Sequence, residues 1–244
     1  GVQKGDRITL ALGNSIEYVV SAMGIMKSGA ILNPINAALG ASQLEYILDH
    51  AGPRWLITDA KGAAALGPVL ARLSSPPRLA SFEKLPGALD LTAAATVSSS
   101  QRPVLAGGTG DAATLMYTSG TTGNPKGVLA RHAGHRELAD PFITLLGIGA
   151  DDVVLAVTPL FHGNAFGAVQ TAMRAGATAV FPREFHGSQF WPLVHESGAT
   201  VLFTLGTILA MLLTREPSDL ERKSPLRIIM GLGSAPIRER IIER

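Results

Sequence analysis

The sequence predicts an α/β fold whose sheets are largely parallel and flanked by helices. Three observations predict it. Short apolar runs alternate with helical patterns along most of the 244 residues. Several runs, such as Val153–Val157, are apolar on both faces, as strands covered by helices on both sides are. Capping and stop residues separate the helical stretches from their neighbours.

The elements follow in order. Ile8–Leu12 reads as a strand. Asn14 can N-cap a helix from Ser15 to Lys27, and Gly29 can stop it. Ile31–Asn33 extends. Ser42 is placed to cap a second helix through Asp49, because Ser42-Gln43-Leu44-Glu45 has the form of a capping box. Trp55–Thr58 is a strand, followed by an Ala-rich helix near Lys61–Arg72. Ser74–Arg102 is rich in Ser, Pro and Ala and is expected to be a surface excursion. Ala113–Tyr117 and Val128–Ala130 read as two strands around a short loop, and a helix is expected near Arg136–Leu146. Asp151–Asp152 marks a turn before the strand Val153–Val157. Then come a helix (Asn164–Arg174), a strand (Thr178–Phe181), a helix (Gln189–Glu196) and a strand (Thr200–Phe203). Thr207–Thr214 is a helix, Arg227–Met230 a strand, and Pro236 opens the last helix at a position proline tolerates. No internal repeat is evident.

Composition narrows the function classes. Hydrophobic residues make up 46% and charged residues 16%, which is the make-up of an ordered globular chain. At this length, roughly three-quarters of the unfolded surface can be buried. A net charge of +2 is too weak to argue for nucleic acid. The stretch from Arg215 onward mixes seven Arg/Lys with five acids and reads as a solvated surface. The absence of cysteine excludes disulfides, zinc–thiolate sites and a catalytic thiol. It fits a reducing, cytoplasmic setting. The longest apolar stretch, Val201–Leu213, is interrupted by Thr204, Gly206 and Thr207 and is shorter than the ~20 residues of a membrane span. The chain opens at Gly1 in a turn and closes at Arg244 inside a helical pattern, so a fragment of a longer protein is expected.

The most informative run is Thr118-Ser119-Gly120-Thr121-Thr122-Gly123-Asn124-Pro125-Lys126-Gly127. Glycines let a backbone turn sharply and present N–H groups to an anion. The hydroxyls of Thr118, Ser119, Thr121 and Thr122 add donors without negative charge. Lys126 adds a mobile cation. No Asp or Glu occurs from Ala112 to Arg136, so the local field favours an anion such as the tail of a nucleotide triphosphate. The Walker spacing is absent, because Lys126 is followed by Gly127 and no Ser or Thr leads into a helix. Pro125 before a β-branched run argues for a hairpin. The plain alternative is an ordinary Gly/Thr-rich turn.

The run Tyr117–Val128 resembles the signature of the adenylate-forming enzymes, which include acyl-CoA synthetases, nonribosomal-peptide adenylation domains and beetle luciferases. Three further segments fall in the family's order. Lys27-Ser28-Gly29-Ala30 with Pro34 is similar to its early Lys-Ala-Gly-Ala…Pro segment. Pro159-Leu160-Phe161-His162-Gly163 is similar to its Pro-Leu-Phe-His segment. Gly231-Leu232-Gly233-Ser234-Ala235-Pro236 is similar to its adenine loop. The resemblance spans essentially the whole chain. It implies a truncated N-terminal domain of two packed α/β subdomains, here residues 1–147 with the phosphate loop and a partial second one, 148–244, with the C-terminal domain absent.

The resemblance also implies a chemistry. A carboxylate attacks the α-phosphorus of ATP, pyrophosphate leaves, and a thiol, coenzyme A, takes the acyl group. Thr118, Ser119, Gly120, Thr121, Thr122, Gly123 and Lys126 would hold the phosphates with Mg²⁺. Gly233, Ser234, Ala235 and Pro236 would contact adenine. His162 alone would ordinarily be read as a satisfied core group. The resemblance places it beside the reacting carboxylate, in a positioning role, so Lys126, Thr118 and His162 are the candidate catalytic residues. Phe161, Phe166 and Met173 are candidates for the acyl pocket, with a core role open for each. His132 and His135 share an i, i+3 spacing but have no third ligand nearby, so no metal site is assigned.

The sequence ends before the family's Tyr-Gly-x-Thr-Glu segment, its ribose-binding Asp and its adenylation lysine. The 244 residues alone are therefore expected to bind nucleotide weakly and not to turn over. The segment forms resemble carnitine/crotonobetaine-type or medium-chain acyl-CoA ligases. A nonribosomal-type adenylation domain, a non-catalytic nucleotide-binding module and a P-loop NTPase stay open as alternatives. Oligomeric state is not readable.

Overall fold

The computed structural model describes residues 1–101, 107–118 and 124–243. Two compact units divide between Gly134 and His135. The division expected at Gly147, where a second βα run begins in the sequence, stays a proposal.

The first unit holds β1 (Arg7–Ala11), α1 (Ile16–Lys27), β2 (Ile31–Pro34), α2 (Ala41–Ala51), β3 (Trp55–Thr58), α3 (Ala60–Leu70), β4 (Arg78–Ser81), β5 (Leu89–Asp90), α4 (Leu91–Val97), β6 (Ala112–Thr118) and β7 (Lys126–Arg131). Its sheet has the order β5-β4-β3-β1-β2-β6-β7. Every neighbouring pair is parallel except β6 and β7, which form an antiparallel edge hairpin. The central strand β1 carries Thr9 and Leu10, both fully buried. One face packs α2 and α3 through a cluster that includes Leu44, Ile47, Leu48, Leu56, Leu66 and Val69. Each such side chain contributes ~1.5–3 kcal/mol of burial.

Three local expectations are corrected. Ser15, not Asn14, caps α1, and its hydroxyl accepts from the Tyr18 N–H at 3.1 Å. Gly40, not Ser42, is the N-cap of α2, with no side-chain bond, and Ser42 lies inside the helix. The stretch from Ser74 is not only a surface excursion, since it supplies β4, β5 and α4. Strand β4 extends the sheet by pairing Trp55 with Arg78, whose guanidinium stands 4.6 Å over the Trp55 ring. Arg102, the expected end of that stretch, lies outside the described residues.

The second unit begins within α5 (His132–Leu146) and continues with β8 (Val153–Ala156), α6 (Gly163–Ala175), β9 (Thr178–Val180), α7 (Phe190–Ser197), β10 (Val201–Leu205), α8 (Gly206–Leu213), α9 (Asp219–Arg222), β11 (Ile228–Leu232) and α10 (Ala235–Glu243). Its sheet is wholly parallel in the order β11-β10-β8-β9. Leu155, Val157, Phe190, Val194 and Leu202 form the core on one face.

One polar corner ties this unit together. The Asp152 carboxylate accepts from Arg227 Nη2 at 2.6 Å, from the Thr200 hydroxyl at 2.6 Å and from the Gly149 N–H at 2.9 Å. Arg227 also donates to the Leu146 and Gly147 carbonyls at 3.1 and 2.8 Å. The starts of β8, β10 and β11 and the end of α5 thus share one network. The Arg227 guanidinium, with the Thr200 and Gly149 donors, holds the Asp152 carboxyl well below the usual carboxylate range. Replacing Asp152 by Asn should cost ~1–3 kcal/mol, because charge-assisted bonds become neutral ones in a mostly buried site. The sign of the pH effect follows from the depressed acidity. The contribution is complete above the unfolded value of ~3.9 and is lost as pH falls further toward the folded value. Urea melts between pH 3 and pH 7 should show a stability difference between wild type and Asp152→Asn that shrinks below about pH 4. An unchanged difference would remove this role.

Candidate functional site

In the first unit, the β6–β7 hairpin has the register Tyr117↔Gly127 and Thr118↔Lys126. The expected hairpin around the Gly/Thr run is therefore present, and Thr118 and Lys126 face each other where its strands end. Both are exposed. Ser119, Gly120, Thr121, Thr122 and Gly123 lie outside the described residues. Gly127 is a close-approach glycine: a Cβ there would stand 2.9 Å from Leu115 Cδ1 and 3.4 Å from the Tyr117 ring.

The base of the hairpin is held by groups that the sequence did not single out. Burial pushes the Tyr117 phenol up, and its hydroxyl is hydrogen-bonded to His50 Nδ1 at 2.7 Å. His50 stacks on Tyr46, with ring centres 5.6 Å apart and planes 14° from parallel. Two residues on α2 thereby fix the ring that immediately precedes Thr118.

In the second unit, His162 is the N-cap of α6, and its Nδ1 accepts from the Asn164 N–H at 3.2 Å. That bond assigns the ring proton to Nε2, leaving a donor outside the helix. His162 is exposed, not a core group. Asn164 links two strand ends: its Oδ1 accepts from the Thr158 hydroxyl at 3.3 Å, and its Nδ2 donates to the Thr204 carbonyl at 3.3 Å. Such crevices at the carboxyl ends of parallel strands are where α/β sheets take ligands.

Beside them, a pocket of about 550 Å³ opens against the sheet between α5 and α6. Small-molecule sites fall in the range ~300–1,000 Å³. Phe142 and Phe203 meet edge to face in its wall, with centres 6.5 Å apart, and Gly163 and Gly167 leave the α6 side open. None of Phe161, Phe166 and Met173 lines it. Phe166 is 1% exposed in the core and Met173 is 55% exposed. The pocket-facing stripe of α6 is the one through Gly163, Gly167, Gln170 and Thr171.

Gly231 lies in β11 opposite Thr204, and Gly233 carries the turn from the strand into α10. Ser234, Ala235 and Pro236 are exposed, and the Gly233 carbonyl accepts from Arg238 Nη1 at 3.2 Å. His135 bonds Gln170, while the His132 N–H donates to the Asp111 carbonyl. Among the described residues no cluster of three or more His, Asp or Glu could hold a metal ion. Also among them, no helix is long and apolar enough to cross a membrane.

The sequence profile of the AMP-binding enzyme family matches residues 1–244. The chain is 28% identical over 243 residues to the long-chain-fatty-acid–CoA ligase FadD13 of Mycobacterium tuberculosis, covering 100% of this chain and 48% of that protein. It is 32% identical over 239 residues to the crotonobetaine/carnitine–CoA ligase of Escherichia fergusonii, covering 94% of this chain and 46% of that protein. The chain thus spans about half the length of the curated relatives it matches. In fold it is similar to an inhibitor-bound N-terminal domain of FACL13 from Mycobacterium tuberculosis, with a TM-score of 0.83 at 24% identity over 100% of this chain and 61% of that one.

Proposed function

Because the chain belongs to the AMP-binding enzyme family, we propose that it supplies the nucleotide- and acyl-binding parts of an ATP-dependent acid–thiol ligase. That enzyme converts a carboxylate to an acyl-adenylate and then to a coenzyme A thioester. One observation carries the reading: an antiparallel hairpin sets exposed Thr118 opposite exposed Lys126 in a stretch without acids. Both matched relatives are named CoA ligases, which supports coenzyme A as the acceptor.

Each residue has a stated task. The Lys126 ammonium and the Thr118 hydroxyl, together with the run Ser119–Gly123, hold the β- and γ-phosphates and the charge that gathers on departing pyrophosphate. Positioning and electrostatic stabilisation carry such a transfer. His162 donates from Nε2 to the substrate carboxylate and orients it. It need not take a proton, because the acid is already ionised at neutral pH. The turn Gly233–Pro236 receives adenine. The pocket lined by Phe142, Phe203 and Gly167 receives the acyl group. Among the described residues no cluster of carboxylates or histidines is placed to hold Mg²⁺. A cytoplasmic setting agrees with the cysteine-free composition.

The test is acid-dependent release of pyrophosphate from ATP by the full-length protein across a panel of carboxylates. Pyrophosphate that appears only with certain acids agrees with the reading. Orthophosphate in its place would move the protein to the NTPases.

A further inference from the structure

The acyl pocket is mostly apolar, with Asn164, Thr171, His135 and Gln170 as its polar lining residues. Gln170 on α6 and His135 on α5 both line it, and His135 Nδ1 lies 3.1 Å from Gln170 Oε1. The His135 ring also meets the Phe166 ring edge-on, with centres 6.4 Å apart. These contacts hold the imidazole, and it holds the amide. Gln170 sits on the same stripe of α6 as Gly163 and Gly167. At ~1.5 Å of rise per residue it lies about 10 Å along the helix from the end capped by His162.

A hydrocarbon chain gains nothing from such a group. Pressing methylenes against an amide strips its water and returns no hydrogen bond. With Oε1 committed to His135, the Gln170 N–H₂ group keeps donors for a ligand oxygen. If the amide is turned over, so that N–H₂ serves His135, the carbonyl is left as an acceptor. A hydroxyl satisfies either arrangement, because it both donates and accepts. Resting on the acid-activation reading above, we infer that the preferred substrate is a hydroxylated carboxylic acid. It has an apolar body and bears its hydroxyl about 10 Å from the carboxylate, against Gln170.

Selectivity follows from the difference between apolar and polar recognition. A purely apolar wall discriminates weakly against an added hydroxyl, whereas a wall built to bond one rejects the analogue that lacks it far more strongly. The experiment uses the full-length protein and two acids of equal carbon count, an ω-hydroxy medium-chain acid and its unsubstituted parent, each long enough to reach from His162 to Gln170. Acid-dependent pyrophosphate release should favour the hydroxy acid by about tenfold or more in kcat/KM. Gln170→Met, close in length and without the amide, should collapse or reverse that ratio, mainly through KM. Gln170→Leu should move it the same way, so that a folding defect in one variant does not decide the outcome. Equal use of the two acids, with a ratio that neither variant changes, would overturn the inference and leave acid activation standing. Release supported by other acids but by neither of these two would overturn it as well. Release with no acid at all would remove the underlying reading and this inference with it.

Discussion

Lys126→Ala in the full-length protein should slow acid-dependent pyrophosphate release by ~100-fold or more while the melting temperature stays within a degree or two of wild type. The two halves of this expectation come from different facts. Lys126 is exposed at the end of β7, so its side chain fills no core volume. Its backbone pairing with Thr118 does not depend on the ammonium group. Truncation therefore leaves the hairpin in place and removes one charge. That charge acts where negative charge grows on the leaving group, and a single well-aimed donor in such a place is worth two to three orders of magnitude in rate. The rate should be measured in single-turnover mode, so that product release does not mask it. Unchanged pyrophosphate release in the variant would mean that Lys126 does not touch the polyphosphate.

Gly167→Leu should have the second-largest effect, and an uneven one. A Cβ at Gly167 meets nothing within 4 Å, and the residue faces the pocket on the α6 stripe. The new side chain has room, but the room is the acyl volume. Glycine inside a helix costs ~1 kcal/mol relative to a good helix former, so the variant should melt no lower than wild type. Loss of activity would then be loss of pocket. Bulky and long acids should fall by ~100-fold in kcat/KM, on the scale by which a mismatched methylene or two is rejected in an apolar pocket. The shortest acids that remain substrates should be little affected. A uniform loss across the series, or none, would place the acyl group elsewhere.

The parts of the fold that could be read from sequence are those with a local signature. Val153–Val157 announces a buried strand by being apolar throughout, and β8 occupies Val153–Ala156. Trp55–Thr58 is the same in both readings. The edge strand β4 was missed because its pairing with Trp55 and the Arg78 stack are long-range, and its residues Arg78-Leu79-Ala80-Ser81 carry little apolar weight of their own. Cap positions slipped at α1 and α2 because adjacent residues offer equivalent groups, as Asn14 and Ser15 do, and only the backbone path chooses between them.

The site divides along the same line. Thr118, Lys126 and His162 stand at element ends, where sequence punctuation is strongest, and they are found there. The pocket wall depends on the rotation of α6 about its axis. A rotation that brings Gly167 and Gln170 to the cavity carries Phe166 and Met173, seven residues apart on one side of the helix, off its wall. The Asp152–Arg227 corner joins residues 75 apart in sequence and has no local sign at all. The His50–Tyr117 bond, with partners 67 apart, is hidden in the same way.

The most direct measurement follows an oxygen atom. A carboxylate that attacks the α-phosphorus leaves one of its oxygens on AMP when the thiol later cleaves the acyl carbon–oxygen bond. The full-length protein should be given ¹⁸O-carboxylate, ATP and coenzyme A, and the phosphorus products read by mass spectrometry. The label should be found in AMP, one atom per thioester formed, with none in pyrophosphate. Label in orthophosphate, released together with ADP, would place the attack at the γ-phosphorus and contradict acid activation by adenylation.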